Sequence, residues 1–215
     1  MDVDRRSFHS FLLALVAAAL ACPAAIAQGA PVVLVVGDSI SAGYGLPSGA
    51  GWVSLLDKKL AAEHYPQRVV NASISGDTTA GGRERLPALL QRYHPAVTVI
   101  ELGGNDGLRG GSLEAMRENL EAMVAAAQKA GSRVLLVGIR LPPNYGPAYV
   151  QRFAAIYSEV ASVRKAALVP FLFEGFGEDN AMFQADRIHP VAAAQPRLLD
   201  NVWPALEPLL GARKR

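Results

Sequence analysis

The chain has 215 residues, 51% of them hydrophobic and 19% charged, with a formal net charge of +2. That length suits one α/β domain with a full core, and the near balance of charge excludes the basic stripe a nucleic-acid binder requires. A single cysteine, Cys22, excludes an intrachain disulfide framework and a cysteine-built metal site.

Residues 1 to 27 read as an export signal. Arg5 and Arg6 precede the apolar run from Phe11 to Ala21, and Ala25-Ile26-Ala27 supplies a small-x-small cleavage site. The run is too short for a membrane anchor, so the mature chain is expected to start near Gln28, with 28 to 215 forming a single domain in the periplasm or outside the cell. Arg5-Arg6-Ser7-Phe8 also fits a twin-arginine signal, and Cys22 after Leu20-Ala21 leaves lipidation open. The Arg213-Lys214-Arg215 tail reads as a solvated terminus.

The first strand is the β-branched run Val32 to Val36, which lacks polar alternation and so should be covered on both faces. It stops at Gly37-Asp38-Ser39, placing Ser39 at the strand's carboxyl end. A helix from Trp52 to Tyr65 has apolar residues at helical spacing and is closed by Pro66. Arg68 to Asn71 is a short second strand, followed by a polar loop through Gly76 and a helix reaching Leu90. Val97 to Leu102 is the third strand and runs into Gly103-Gly104-Asn105-Asp106-Gly107. A helix from Ser112 to Ala130 ends at Gly131, where a left-handed exit is expected. Strand four spans Arg133 to Ile139, and Leu141-Pro142-Pro143-Asn144-Tyr145-Gly146-Pro147 reads as a rigid aromatic loop over a cleft. A helix from about Ala148 to Lys165, a strand from Leu168 to Phe171, an irregular Phe- and Gly-rich stretch and a helix from about Val191 to Leu209 complete the chain. Strands alternating with helices imply a flavodoxin-like three-layer α/β/α sandwich around a five-stranded parallel sheet.

On that topology the polar loops gather on one sheet edge, where ligands bind in open α/β folds. A base near neutral pH is usually histidine, and only His64, His94 and His189 follow the signal. His64 ends a helix and His94 precedes a strand on the opposite edge, so both read as structural. His189 lies on the right edge, and Asp186 is placed to accept from its imidazole across one turn. A nucleophilic Ser39 needs that pair, and an acyl carbonyl also needs donors for its oxyanion, which Gly76 and Asn105 can supply. Turn-forming roles for Gly37-Asp38-Ser39 and Gly103 to Gly107 are the plain alternative, which the convergence of all four elements on one edge outweighs.

In order, Gly37-Asp38-Ser39, Gly76, Gly103-Gly104-Asn105-Asp106 and Asp186-x-x-His189 resemble the four blocks of the SGNH (Gly-Asp-Ser-Leu) hydrolases, across nearly the whole mature chain. Gly43 to Leu46, Ser75 to Gly82 and Leu141 to Gly146 look more narrowly like the bacterial periplasmic thioesterase I, lysophospholipase and arylesterase group. The resemblance implies hydrolysis of aryl and alkyl esters, acyl thioesters and lysophospholipids, with Ser39 as nucleophile and Asp186 and His189 as its partners. It implies an oxyanion hole from the N–H groups of Ser39 and Gly76 with the Asn105 side chain, and substrate contacts from Asp38, Asn144, Tyr145 and Ile188. Ile40 replaces the leucine of the family name, and Arg187 stands where the group often has glycine. No cofactor or metal is expected, the partner is a small acyl ester or thioester, and a monomer is the favoured state.

Two other classes remain open at this level. Asp38, Asp77, Asp106 and Asp186 share the edge and could hold Mg²⁺ in a metal-dependent phosphohydrolase. A non-enzymatic flavodoxin-like binder is the second, although neither Gly-x-Gly-x-x-Gly nor Gly-Lys-Ser/Thr follows the first strand. No Gly-x-Ser-x-Gly elbow occurs, which disfavours an α/β-hydrolase.

Overall fold

The computed structural model describes residues 29 to 213. The expected export signal, Cys22 and the last two residues of the basic tail lie outside them. Strand β1 (Val32–Gly37) is buried along its whole length, as its unbroken apolar run requires. It is flanked by β2 (Arg68–Asn71) and β3 (Val97–Glu101), with β4 (Arg133–Val137) and β5 (Ala167–Val169) beyond β3. Every pairing is parallel and the spatial order is β2-β1-β3-β4-β5. The order reverses between β1 and β3, so the loops after those two strands leave in opposite directions and open a crevice between them.

Seven α-helices accompany the sheet among the described residues: α1 (Ser39–Ala42), α2 (Trp52–Ala62), α3 (Thr79–Tyr93), α4 (Gly104–Leu108), α5 (Leu113–Lys129), α6 (Pro147–Arg164) and α7 (Gln195–Leu210). Helices α2 and α7 pack on each other over one face, while α3, α5 and α6 pack side by side over the other. Helix α2 turns Trp52, Val53, Leu56 and Leu60 inward, and α5 turns in Met116, Leu120, Met123, Val124 and Ala127. These i, i+3, i+4 stripes are what a helix must show to bury one side on a sheet. Helix α5 ends as its sequence suggests, with Gly131 at φ 82° and Ser132 N–H donating to Ala127 O at 3.0 Å.

Several boundaries differ from the sequence expectation, and three of the differences bear on the site. The loops after β1 and β3 are not open turns, because each winds at once into a short helix, α1 and α4. Strand β5 ends at Val169 instead of Phe171, since Pro170 has no N–H to continue the ladder. The last helix begins at Gln195 and not near Val191, because Val191 N–H donates to Met182 O at 2.9 Å beside the antiparallel bridge Phe183 to Pro190. That bridge closes a hairpin over residues 182 to 191, and the hairpin carries the last sequence block.

Candidate active site

Ser39 is the first residue of α1 and is only half-buried, directly at the carboxyl end of β1. Its turn is set by Asp38, whose Oδ1 accepts from Ile40 N–H at 3.0 Å and caps the helix. Ser39 Oγ lies 2.8 Å from His189 Nε2, and His189 Nδ1 lies 2.7 Å from Asp186 Oδ2. The other carboxylate oxygen, Asp186 Oδ1, accepts from the N–H groups of Ile188 and His189 at 2.9 and 3.0 Å. Although burial opposes it, the hydrogen bond from His189 and those two backbone donors bring Asp186 down to about 2. An ionised Asp186 accepts from Nδ1–H, which leaves Nε2 free to accept from the serine hydroxyl.

The hairpin is bolted in place by two glutamines. Gln184 N–H donates to His189 O at 2.8 Å and its side chain donates to Tyr44 O at 2.9 Å. Gln195 is buried, accepts from Trp52 N–H at 2.9 Å and donates to Pro190 O at 3.4 Å. The Tyr44 ring sits 4.6 Å from the His189 ring, centroid to centroid.

Gly103 at φ 119° turns the chain from β3 into α4, and a Cβ there would lie 2.4 Å from the Tyr157 hydroxyl oxygen. Only glycine fits. Two residues on, Asn105 Nδ2 donates to Asp77 O at 2.9 Å and to Asp38 Oδ2 at 3.1 Å. Both neighbours are acceptors, which fixes the amide with nitrogen toward them. An oxyanion would therefore share an N–H already in use. Gly76, at φ 80°, is exposed in the adjoining loop, where Ile74 N–H donates to Gly37 O at 3.0 Å and Arg109 donates to Gly76 O at 3.0 Å.

A cavity of about 1170 Å³ is lined by Asp38, Ser39, Asn105, Asn144, Ile188 and His189 among others, while Gly76 and Asp186 are not among its lining residues. Phe171, Phe173, Phe176 and Phe183 form its aromatic wall. Tyr145 corrects the sequence expectation. It does not line the cavity: its ring stacks on Tyr149 and its hydroxyl donates to Leu108 O at 2.9 Å. In the 3₁₀ turn Pro143–Tyr145 neighbouring residues point about 120° apart, so Asn144 faces the cleft while Tyr145 anchors the loop. His64 follows the end of α2 and His94 caps α3, both in left-handed conformations, and neither is among the cavity's lining residues.

Sequence reasoning passed over Glu101, which is fully buried at the end of β3 and lines the cavity floor. Its Oε2 accepts from Ser41 Oγ at 2.6 Å and its Oε1 has no partner. Burial first, then the charge of Asp38, pushes Glu101 well above the usual carboxylate range. Burial likewise raises Asp38 to about 6, against the opposing pull of Ile40 N–H and His189. A carboxylate inside a strand with no other charge was the available signal. The four aspartates of the metal alternative do not converge. Asp77 pairs with Arg85 at 2.8 Å, Asp106 accepts from Thr79 N–H at 2.9 Å, and Asp38 and Asp186 are held as described.

A parallel sheet with a serine, histidine and aspartate in hydrogen-bonded series at its switch point has the makeup of a serine-type acyl hydrolase. Residues 35–195 match the GDSL-like Lipase/Acylhydrolase family, and the chain belongs to it. It is 60% identical over 181 residues to the esterase TesA of Pseudomonas aeruginosa, covering 84% of this chain and 90% of that one. Against the thioesterase 1/protease 1/lysophospholipase L1 of Escherichia coli K12 it is 41% identical over 184 residues, covering 86% and 87%. The crystal structure of TesA superposes with a TM-score of 0.82 over 83% of this chain and 99% of that one.

Proposed function

We propose that this protein is a serine esterase that hydrolyses acyl esters and thioesters through an acyl-enzyme at Ser39. It is a carboxylic ester hydrolase, like the esterase, arylesterase and thioesterase relatives it matches. The observation that carries the residue assignment is the unbroken series Ser39, His189, Asp186 at 2.8 and 2.7 Å.

In that reading Ser39 Oγ attacks the acyl carbon while its proton passes to His189 Nε2, and Asp186 stabilises the resulting imidazolium. The N–H groups of Ser39 and Gly76 and the Asn105 amide receive the oxyanion. Collapse breaks the acyl–oxygen or acyl–sulfur bond, and His189 returns its proton to the leaving alcohol or thiol. Water then enters, gives a proton to His189 and hydrolyses the acyl-serine, restoring Ser39 and releasing the acid. The aromatic wall suits an acyl chain, and Asp38, Asn144 and Ile188 are its polar and apolar neighbours at the reacting end.

The residues 1 to 27 support export and a mature periplasmic form beginning near Gln28, with 28 to 215 as one domain. Among the described residues no helix is long and apolar enough to cross a membrane. The test of function is Ser39→Ala assayed on p-nitrophenyl esters beside labelling of the wild type by a serine-directed phosphonate. Loss of hydrolysis with an unchanged melting temperature is expected, and labelling at any other residue overturns the assignment.

A further inference from the structure

Arg187 is held in a conformation that a side-chain-bearing residue adopts rarely, at φ 58°. Such backbone persists where the surrounding structure imposes it, often beside a functional site. Here the imposition is visible. Arg187 N–H donates to Gln184 O at 2.9 Å, and the hairpin is closed by the Phe183 to Pro190 bridge and the Gln184 N–H to His189 O bond. The side chain is exposed, lines the cavity, and among the described residues has no carboxylate within ion-pair distance. Even neighbouring Asp186 does not hold it, because both Asp186 oxygens are engaged by His189 and Ile188. Arg140, the other cationic side chain on the cavity wall, already pairs with Glu174 at 3.8 Å. The remaining carboxylates of the rim, Glu178 and Asp179, come from the segment before the hairpin.

The leaving group must depart over His189, since Nε2 takes the Ser39 proton and hands it on. That direction runs across the hairpin that presents Arg187, two residues from His189 in the chain. We propose that Arg187 forms a leaving-group subsite that recognises a phosphate, so that the enzyme favours acyl substrates whose alcohol or thiol portion is phosphorylated. A guanidinium offers a planar fork of donors matched to phosphate oxygens, and its charge offsets the Asp186 carboxylate that would otherwise repel an anion at this rim. The proposal rests on the esterase reading and deepens it. Lysophospholipids and acyl-coenzyme A thioesters share this chemistry, the phosphate lying on the leaving portion in both.

Two substrate pairs separate phosphate recognition from ester hydrolysis. 1-Lauroylglycerol-3-phosphate against 1-lauroylglycerol differs only in the phosphate, and lauroyl-coenzyme A against a neutral lauroyl thioester is the thiol counterpart. The readout is the ratio of kcat/KM within each pair, below the micellar concentration. For Arg187→Gly, which suits the left-handed backbone, the ratio is expected to fall roughly tenfold through KM. Arg187→Glu should fall further and Arg187→Lys should keep most of the preference. A change in the first pair alone identifies the lipid phosphate, and in the second alone the nucleotide phosphate. A purely structural residue would move both members of a pair together, so unchanged ratios in both pairs overturn the subsite. Absence of wild-type activity on all four substrates would instead overturn the esterase reading itself.

Discussion

Asn105 is where the site is under most tension. Its amide hydrogens serve Asp77 O and Asp38 Oδ2 in the free enzyme, so donation to an oxyanion must be won in competition with a carboxylate. If it is, Asn105→Ala lowers kcat by roughly 10² to 10³ with little change in KM. Asn105→Asp should be at least as harmful, since it brings a charge against the developing one, and near-full kcat in that variant would leave the hole to backbone groups alone. Asp38 carries a second prediction. Its carboxyl titrates at about 6 in the fold against an ordinary 3.8, so the folded state holds the proton more tightly. Its contribution to stability is full below the ordinary value and is lost as pH rises through about 6, by about 3 kcal/mol in total. Asp38→Asn removes that loss, so its melting temperature should gain on wild type between about pH 4 and pH 7 while its activity falls. A constant difference across that range would show that Asp38 is not so shifted. Asp186 has the opposite sign. Its lowered value gives stability present above 3.8 and lost as pH falls toward about 2.

At the scale of elements, the turn from β3 into α4 is the tightest point of the frame. Gly103→Ala would set a methyl against Tyr157 and Met116 at a positive φ, and should cost about 3 kcal/mol. In a domain of this size that lowers the melting temperature by roughly 10 °C, and it moves Asn105 with it. A melting scan that finds wild-type stability would mean the turn can relax around the methyl. Much of this frame was legible in the residues. Val32 to Val36 has no polar alternation, and Gly131 punctuates α5. The winding of α1 and α4 was not legible, because four- and five-residue helices are too short for any periodicity to register. Nor was the late start of α7, which depends on a hairpin amide, Val191, pairing with Met182.

For the whole molecule, the expected mature chain starts near Gln28, a proposal that rests on residues outside the described structure. Intact mass of the exported protein checks it. Retention of residues 1 to 27, or a mass gain from acylation at Cys22, would refute a soluble periplasmic form. The topology explains why one edge collects the chemistry: the order β2-β1-β3 splits the loops after β1 and β3, and the hairpin before α7 closes over the gap.

Residue type and strand-end position were enough to single out Ser39, Asp186 and His189 as candidates, and the fold brings the three into one hydrogen-bonded series. The parallel sheet followed from the alternation of apolar runs with helical stripes for the same reason, that local pattern states which faces must be buried. Tertiary structure alone decided what no local pattern encodes. It placed Glu101 beneath the site, turned Tyr145 away from the cleft and into the Leu108 carbonyl, and bound the Asn105 amide to Asp38. Those outcomes depend on contacts between residues 37 to 67 positions apart, where direction and partner are set by how the loops cross at the crevice.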